Sequence, residues 1–297
     1  MVLWALIRAA RIPHEILHVN FGLRAEESDG DEGLVRGEAR EYDVVCHVRR
    51  TVVPEGPGVQ ARARRLRRAA SEALLRERQL HRIALAHHAN DQAETLLLQF
   101  SRGTGGAGLC GMRGELGVYL RPLLYAPQSA ITAYAKTHRV AYREDASNAS
   151  DRYARNRLRH HVVPALEVAD PRALIGFQTA AEHQADLLDF ARAQAHLVLA
   201  KAATGDLEDG VEVRCRNTIA NTPGLATLLY FWLAERGFRS AQLITLAAWI
   251  CDGQLQRRYL ESADRTQEVV VTGSRIWVAH RGGRLAHPTQ TWSTGRP

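Results

Sequence analysis

Short apolar runs and helical periods take turns over the first 140 residues of this chain. Residues 2–10 predict a short helix, and Glu15–Val19 a buried strand ending in His18-Val19-Asn20-Phe21-Gly22. An acidic helical stretch (26–41) leads to a β-branched run from Asp43 to Val53 and a Pro/Gly loop. Residues 60–79 predict a strongly basic helix, and Arg82–Ala86 a further short strand. In the helix predicted over Ala89–Phe100, Ala93, Leu96, Leu97 and Phe100 recur at the i, i+3, i+4, i+7 spacing of one buried face. A Gly-rich turn (Gly103–Gly108) precedes a strand at Val118–Leu124, and Ser129–His138 returns to helix. Strand and helix alternating through short loops predict an α/β fold, a doubly wound parallel sheet covered on both sides. Ligands of such sheets sit at the C-terminal ends of the strands. Two of those ends are chemically loaded: His18-Val-Asn20 and His87-His88-Ala-Asn90-Asp91.

Beyond Pro164 the pattern changes. Leu174, Phe177, Ala181, Gln184, Leu188, Ala191, Ala195 and Val198 follow a 3-4-3-4 spacing, which predicts one long helix with a mostly apolar seam. Gln184 interrupts that seam, as a packing face inside one molecule allows. Residues 205–297 predict a strand (Val211–Cys215), helices over 223–236 and 239–252, and a terminal hairpin of Glu268–Val271 and Arg275–His280 turning at Gly273-Ser274. The expected organisation is a domain over 1–166, a connecting helix over 167–204 and a smaller α+β domain over 205–297.

Composition adds exclusions. Hydrophobic residues make up 45% and charged residues 24%, so neither a disordered nor a fibrous chain is indicated. No apolar run approaches the roughly 18–20 residues of a membrane span. Cys46, Cys110, Cys215 and Cys251 lie far apart with no CxxC pair, against a disulfide scaffold or a zinc finger. A cytoplasmic protein with no membrane partner is expected.

The net charge of +7 is concentrated. Residues 49–82 hold ten arginines against three acids, an excess that equals that of the whole chain, while Glu26–Asp43 holds eight acids against two arginines. A second basic knot runs through Arg152, Arg155, Arg157, Arg159, His160 and His161. Clustered guanidinium groups suit phosphate oxygens, and a solvated helix face is the alternative. No Gly-Lys followed by Ser or Thr occurs, so these residues contain no Walker-type phosphate loop.

Three constellations carry the chemistry. In His87-His-Ala-Asn-Asp-Gln-Ala-Glu-Thr95, Asp91 is a candidate for Mg²⁺ or a substrate ammonium, and His87 for a phosphate or developing oxyanion. The bland alternative is an Asn90 or Asp91 helix cap with locally bonded histidines; a third is a transition-metal site. Arg64, Arg67 and Arg68 share one side of the basic helix. The segment Asp145-Ala-Ser147-Asn148 to Arg155-Asn156-Arg157-Leu-Arg159-His160 places basic and amide groups in a loop entering a helix, an arrangement that favours RNA or phosphate contact over bare surface.

Seven segments stand in one order: HVNFGLRAEES (18–28), ARRLRRAA (63–70), AHHANDQAET (86–95), SRGTGGAGLCGM (101–112), RPLL (121–124), REDASNAS (143–150) and RNRLRHHVVPAL (155–166). Together they resemble bacterial tRNA(Ile)-lysidine synthetase from Met1 to about residue 166, and more weakly to about 286. The resemblance implies a PP-loop ATP pyrophosphatase domain. It also implies a ligase that uses ATP and Mg²⁺ to adenylate the C2 carbonyl of the wobble cytidine in the CAU anticodon of tRNA(Ile). The ε-amine of free L-lysine then displaces AMP to give lysidine. Arg67, His87 and Asp91 fall on the family's active-site positions. His18 and Asn20 fall on its nucleotide-lining strand end. Arg155, Asn156, Arg157 and Arg159 fall on the stretch beside the tRNA. A homodimer is compatible with the resemblance.

Two departures stand out. Phe21 occupies a position that is usually His in the family. The family's Ser-Gly-Gly-x-Asp-Ser loop is absent, and Met1 aligns with the residue immediately after it. The strand before that loop lies in the middle of the family's sheet (order 3-2-1-4-5), so its absence predicts two half-sheets with unpaired edges. The expectation is therefore an N-terminally truncated member, by a misplaced start or as a truncated copy. The alternative is a non-catalytic tRNA-binding remnant. A PP-loop tRNA thiolase using Cys46 and Cys110, and a metal phosphohydrolase on His87, His88 and Asp91, complete the range, with buried core cysteine the preferred reading of the first pair.

Overall fold

The computed structural model describes residues 1–23, 26–54, 56, 58–143, 151, 153–203, 212–252 and 256–280. Of the segments singled out above, Asp145–Asn148, Arg152, Val211 and everything after His280 lie outside them. The chain divides into two units, Met1–Ala185 and Asp186–Pro297.

The first unit begins with α1 (Val2–Ala9), β1 (Ile16–Asn20), α2 (Glu26–Glu41), β2 (Cys46–Arg50) and α3 (Val59–Glu77). It continues with β3 (Ile83–Ala84), α4 (Ala89–Ser101), α5 (Gly106–Leu109), β4 (Glu115–Leu116), β5 (Tyr119–Leu120) and α6 (Gln128–Thr137). α7 (Ala154–Arg157), a π-turn (Leu158–Val162) and α8 (Val163–Ala169) form one helical rod leading to the long α9 (Ala173–Ala202). β1 pairs with β2 in parallel, and β3 with β5 in parallel, as an α/β domain requires. The sheet is split: β2–β1 is one piece and β3–β5–β4 another, with no pairing between β1 and β3 among the described residues. This is the expected pair of half-sheets. Four of the five residues of β1 are only half-buried.

Local sequence explains most of these elements. Helix formers Ala, Arg, Leu and Glu fill α3, which starts at Gly58 with a φ of +80°, a conformation that suits glycine. The seam of α9 packs as its spacing predicts, with Leu174, Ala181 and Ala195 buried. The Gly-rich stretch differs from expectation: it closes as a short helix, α5, whose Cys110 end is buried. The strand predicted over Val118–Leu124 shrinks to two residues paired with a β4 that periodicity over so few residues does not show.

The second unit carries β6 (Glu212–Cys215), α10 (Arg216–Ala220), α11 (Leu225–Leu233), α12 (Ser240–Cys251), β7 (Arg258–Glu261), β8 (Gln267–Val271) and β9 (Arg275–His280). The strands form an antiparallel sheet in the order β6-β9-β8-β7. Val269, Val271, Ile276 and Val278, alternate residues of β8 and β9, pack against Leu229, Leu233, Leu246 and Ile250 of the helices. Each such side chain contributes about 1.5–3 kcal/mol of burial.

Arg216 is only 2% exposed and ties this unit together. Its Nε donates to the Ile250 carbonyl (3.0 Å), Nη2 to that of Trp249 (2.7 Å) and Nη1 to that of Thr272 (3.1 Å). Two of these are last-turn carbonyls of α12, which have no partner inside the helix. Arg216→Ala is expected to cost about 3 kcal/mol, because it strands buried carbonyls. Arg216→Lys should recover little, since one ammonium cannot span the planar fork. Urea unfolding of the full chain measures both.

Candidate active site at the start of helix α4

The first turn of α4 is capped by His88, not by Asn90 or Asp91. Its Nδ1 accepts from the Asp91 N–H (3.4 Å), and its own N–H donates to Asp91 Oδ2 (3.1 Å), a reciprocal capping box. Accepting at Nδ1 requires a neutral ring, and burial lowers the His88 pKa accordingly. Asn90 serves a different helix: its Oδ1 accepts from the Gln128 N–H at the start of α6 (2.8 Å).

His88 is committed to the cap, and His87 is not. Its Nδ1 is buried and has no hydrogen-bond partner. Burial, opposed by Asp91 and reinforced by Arg121, Arg155 and Arg64, lowers its pKa to about 4. The imidazole is therefore neutral at pH 7 and can donate or accept a proton without a standing charge.

Asp91 and Glu94, one turn apart on α4, meet two arginines. Arg155 donates through Nε to Glu94 Oε2 (2.6 Å) and through Nη2 to Asp91 Oδ1 (3.0 Å). Arg159 donates through Nε to Glu94 Oε1 (2.6 Å), and through Nη2 to Glu94 Oε2 (3.0 Å) and Asp91 Oδ1 (3.4 Å). The Glu94 side chain is 0% exposed and both arginine side chains 25%. Residues four apart on an α-helix are offset by about 40°, and the wider π-turn that begins at Leu158 helps to bring Arg159 round to the same carboxylates as Arg155. These two sequence-predicted tRNA residues thus face inward. Of their neighbours, Arg157 is exposed and donates to the Asp151 carbonyl (3.0 Å), and Asn156 is half-buried.

In this clamp both oxygens of Asp91 are engaged. Oδ1 already receives two guanidinium groups and Oδ2 the His88 N–H. A divalent cation would have to displace these guanidinium groups to reach Oδ1.

Arg67 lies over the Phe21 ring (5.7 Å to its centroid), and burial and Arg64 lower its pKa. Arg68, on the same helix, is spent on Glu72 (3.0 Å) and the Tyr119 ring (4.9 Å). His18 is half-buried and kept neutral by burial, with Glu32, Asp31 and Arg67 in its field. Asn20 is turned toward α2: its Nδ2 donates to Asp29 (3.1 Å) and Glu32 (3.0 Å), and its Oδ1 accepts from Gly22 N–H (2.9 Å). Its side chain shapes the strand end. For nucleotide phosphates the donor set fits in part: Arg64, Arg67 and His87 can meet them, whereas the backbone cradle of a phosphate loop is not among these residues.

Sequence reasoning missed the buried carboxylates Glu32 and Glu94. Glu94 stands three residues after Asp91, a helical-face spacing that could have flagged it. Glu32 accepts from Asn20, Arg36 (2.9 Å) and Arg50 (2.9 Å), and Arg50 first, then Asn20 and Arg36, lower its pKa to about 2 from 4.5. A depressed carboxylate stabilises fully above its unfolded pKa and loses that contribution as pH falls through the folded value. The stability gap between the native chain and Glu32→Gln should accordingly close between pH 4.5 and about 2, as unfolding midpoints across that range will show.

Beside the clamp opens a cavity of about 560 Å³ lined by Asn90, Glu94, Thr132, Lys136, Arg159 and Glu167. Its size is that of a small-molecule site, and its wall carries both signs of charge. Cys110 is buried with its thiol on the Gly106 carbonyl (3.3 Å), and burial raises the Cys46 pKa, as structural thiols do. No helix among the described residues is long and apolar enough to cross a membrane.

Residues 1–166 match the model of the PP-loop domain family. The chain is 34% identical over 236 residues to a tRNA(Ile)-lysidine synthase of Porphyromonas gingivalis, covering 76% of this chain and 50% of that protein. It is 36% identical over 181 residues to the enzyme of the same name from Chlorobaculum tepidum, covering 59% and 55%. The chain thus spans about half the length of the curated relatives it matches. Among solved structures it is similar in fold to a U34-tRNA thiolase from Methanococcus maripaludis that holds a 4Fe-4S cluster. The TM-score is 0.50 at 16% identity, over 61% of this chain and 67% of that one.

Proposed function

We propose, for a chain that belongs to the PP-loop domain family, that it carries the catalytic side chains of an ATP-dependent ligase. Its reaction would join L-lysine to C2 of the wobble cytidine of tRNA(Ile) in the cytoplasm. The observation that carries this reading is the start of α4, where His88 caps the helix and leaves the buried, neutral and unpartnered His87 beside Asp91. The likeness to named lysidine synthases supplies the substrate class.

In this reading the cytidine C2 oxygen attacks the α-phosphorus of ATP and pyrophosphate departs. Arg64 and Arg67 offset the phosphate charge, and His87 donates to the developing oxyanion without adding a charge of its own. The ε-amine of lysine then attacks C2, expelling AMP. Asp91, fixed by Arg155 and Arg159, orients the lysine as it approaches. The mixed-charge cavity suits a zwitterion, with Lys136 and Arg159 toward the carboxylate and Glu167 toward the ammonium. The exposed Arg157 and the basic face of α3 supply the tRNA surface.

A second reading rests on the split sheet and on the absence of the Ser-Gly-Gly-x-Asp-Ser motif from these residues: binding of tRNA without turnover. Measuring tRNA(Ile)- and lysine-dependent AMP release on the 297-residue chain, and on a form extended upstream, separates them. Release by either form supports the ligase. Silence in both, with tRNA affinity that falls steeply with salt, supports the binding remnant.

A further inference from the structure

His160 and His161 follow the clamp residue Arg159 in the π-turn, and both reach one carboxylate. His160 Nδ1 lies 2.7 Å from Asp151 Oδ1, and His161 Nε2 lies 2.6 Å from Asp151 Oδ2. Adjacent residues of an α-helix point about 100° apart, so neighbouring imidazoles rarely share a partner. Here the two rings stand 87° to each other with centroids 6.0 Å apart, and their nitrogens turn toward the same point. The three donor atoms lie within 4.8 Å of one another, the one such grouping among the described residues. Asp151 is itself anchored, its carbonyl accepting from Arg157 Nη1 (3.0 Å).

Two imidazole nitrogens and a carboxylate oxygen are the donor set of a borderline divalent cation. Mg²⁺ and Ca²⁺ prefer oxygen alone, and soft ions prefer sulfur. Zinc bonds of about 2.0–2.2 Å put tetrahedral donors about 3.3 Å apart, inside the 4.8 Å that encloses the three donor atoms here. We propose that Asp151, His160 and His161 form a binding site for a zinc-class transition-metal ion, separate from the site at α4. The Asp151 and His161 side chains are 46% and 64% exposed, which leaves water to complete the coordination. The ion replaces two hydrogen bonds with coordinate bonds and ties Asp151 to the π-turn that presents Arg159. The site holds a cation whether or not the chain is a ligase.

The test uses the full chain, made without a histidine tag and stripped with a chelator. Titration with Co²⁺ is followed by absorbance, and Zn²⁺ by calorimetry and thermal melting. One equivalent is expected, with a d–d band, no thiolate charge-transfer band and a raised melting temperature. Asp151→Asn and His161→Gln should each weaken binding by about tenfold to a hundredfold. Both positions are at the surface, and circular dichroism confirms that the variants fold. Three results overturn the proposal: no saturable binding, a thiolate band, or affinity unchanged in both variants. A Cys46→Ser and Cys110→Ser control should leave the titration as it was.

Discussion

Glu94→Ala is expected to destabilise the first unit by about 3–5 kcal/mol, the cost of breaking a buried ion pair from one side. The residue is 0% exposed and receives three short hydrogen bonds from Arg155 and Arg159. Removing the carboxylate takes away the buried acid that both guanidinium groups share and leaves them Asp91 Oδ1 in common. Glu94→Gln keeps the shape but loses the charge, so it should fall between the two. Replacing Glu94, Arg155 and Arg159 together with apolar residues of similar volume should recover much of the loss, because the desolvation cost goes with them. Denaturant unfolding of the three variants gives the comparison. A loss below about 1 kcal/mol for Glu94→Ala would place the pair in the weak class of solvated surface bridges.

The second large effect concerns turnover. His87→Ala, in whichever form of the protein releases AMP, is expected to slow that release by about 10²–10⁴-fold, the usual contribution of one positioned proton-transfer or oxyanion group. His88→Ala should act through the cap, costing about 1 kcal/mol of stability with a smaller effect on rate. The pH profile distinguishes the imidazole's role. With its pKa lowered to about 4, His87 stays neutral from pH 6 to 8, so no ionisation of this residue should bend the rate across that range. A group titrating near 6.5 whose bend disappears in His87→Ala would refute the neutral-donor role.

Much of the first unit is written in periodicity. The acidic stretch 26–41 is α2, the basic helix is α3, and the i, i+3, i+4, i+7 face over 89–100 is α4, whose Ala93 and Leu96 are buried. The two half-sheets follow from a family likeness, not from pattern. What pattern could not show is where charges find partners. Arg155 and Arg159 read as surface cations because their carboxylates lie 61 and 65 residues away in sequence. Nothing local reports that Glu94 is fully buried. The same limit hid Glu32 beneath Arg50 and the role of Asn20 in the turn. Short elements escaped for a different reason. α5, β4 and α10 are two to five residues long and are held by neighbours more than by propensity. The π-turn that presents Arg159 has no signature in composition at all.

Among the described residues, one side of β1 and one side of β3 pair with no strand, which bears on how chains behave when concentrated. Each presents backbone donors and acceptors in register for another parallel strand, and the half-buried Ile16, Leu17 and Val19 add apolar adhesion. Open strand edges favour pairing between chains, so this feature is expected to lower solubility at high concentration. A short β-branched peptide added in excess should act as a terminator of this pairing, raising solubility without altering any side chain of the fold.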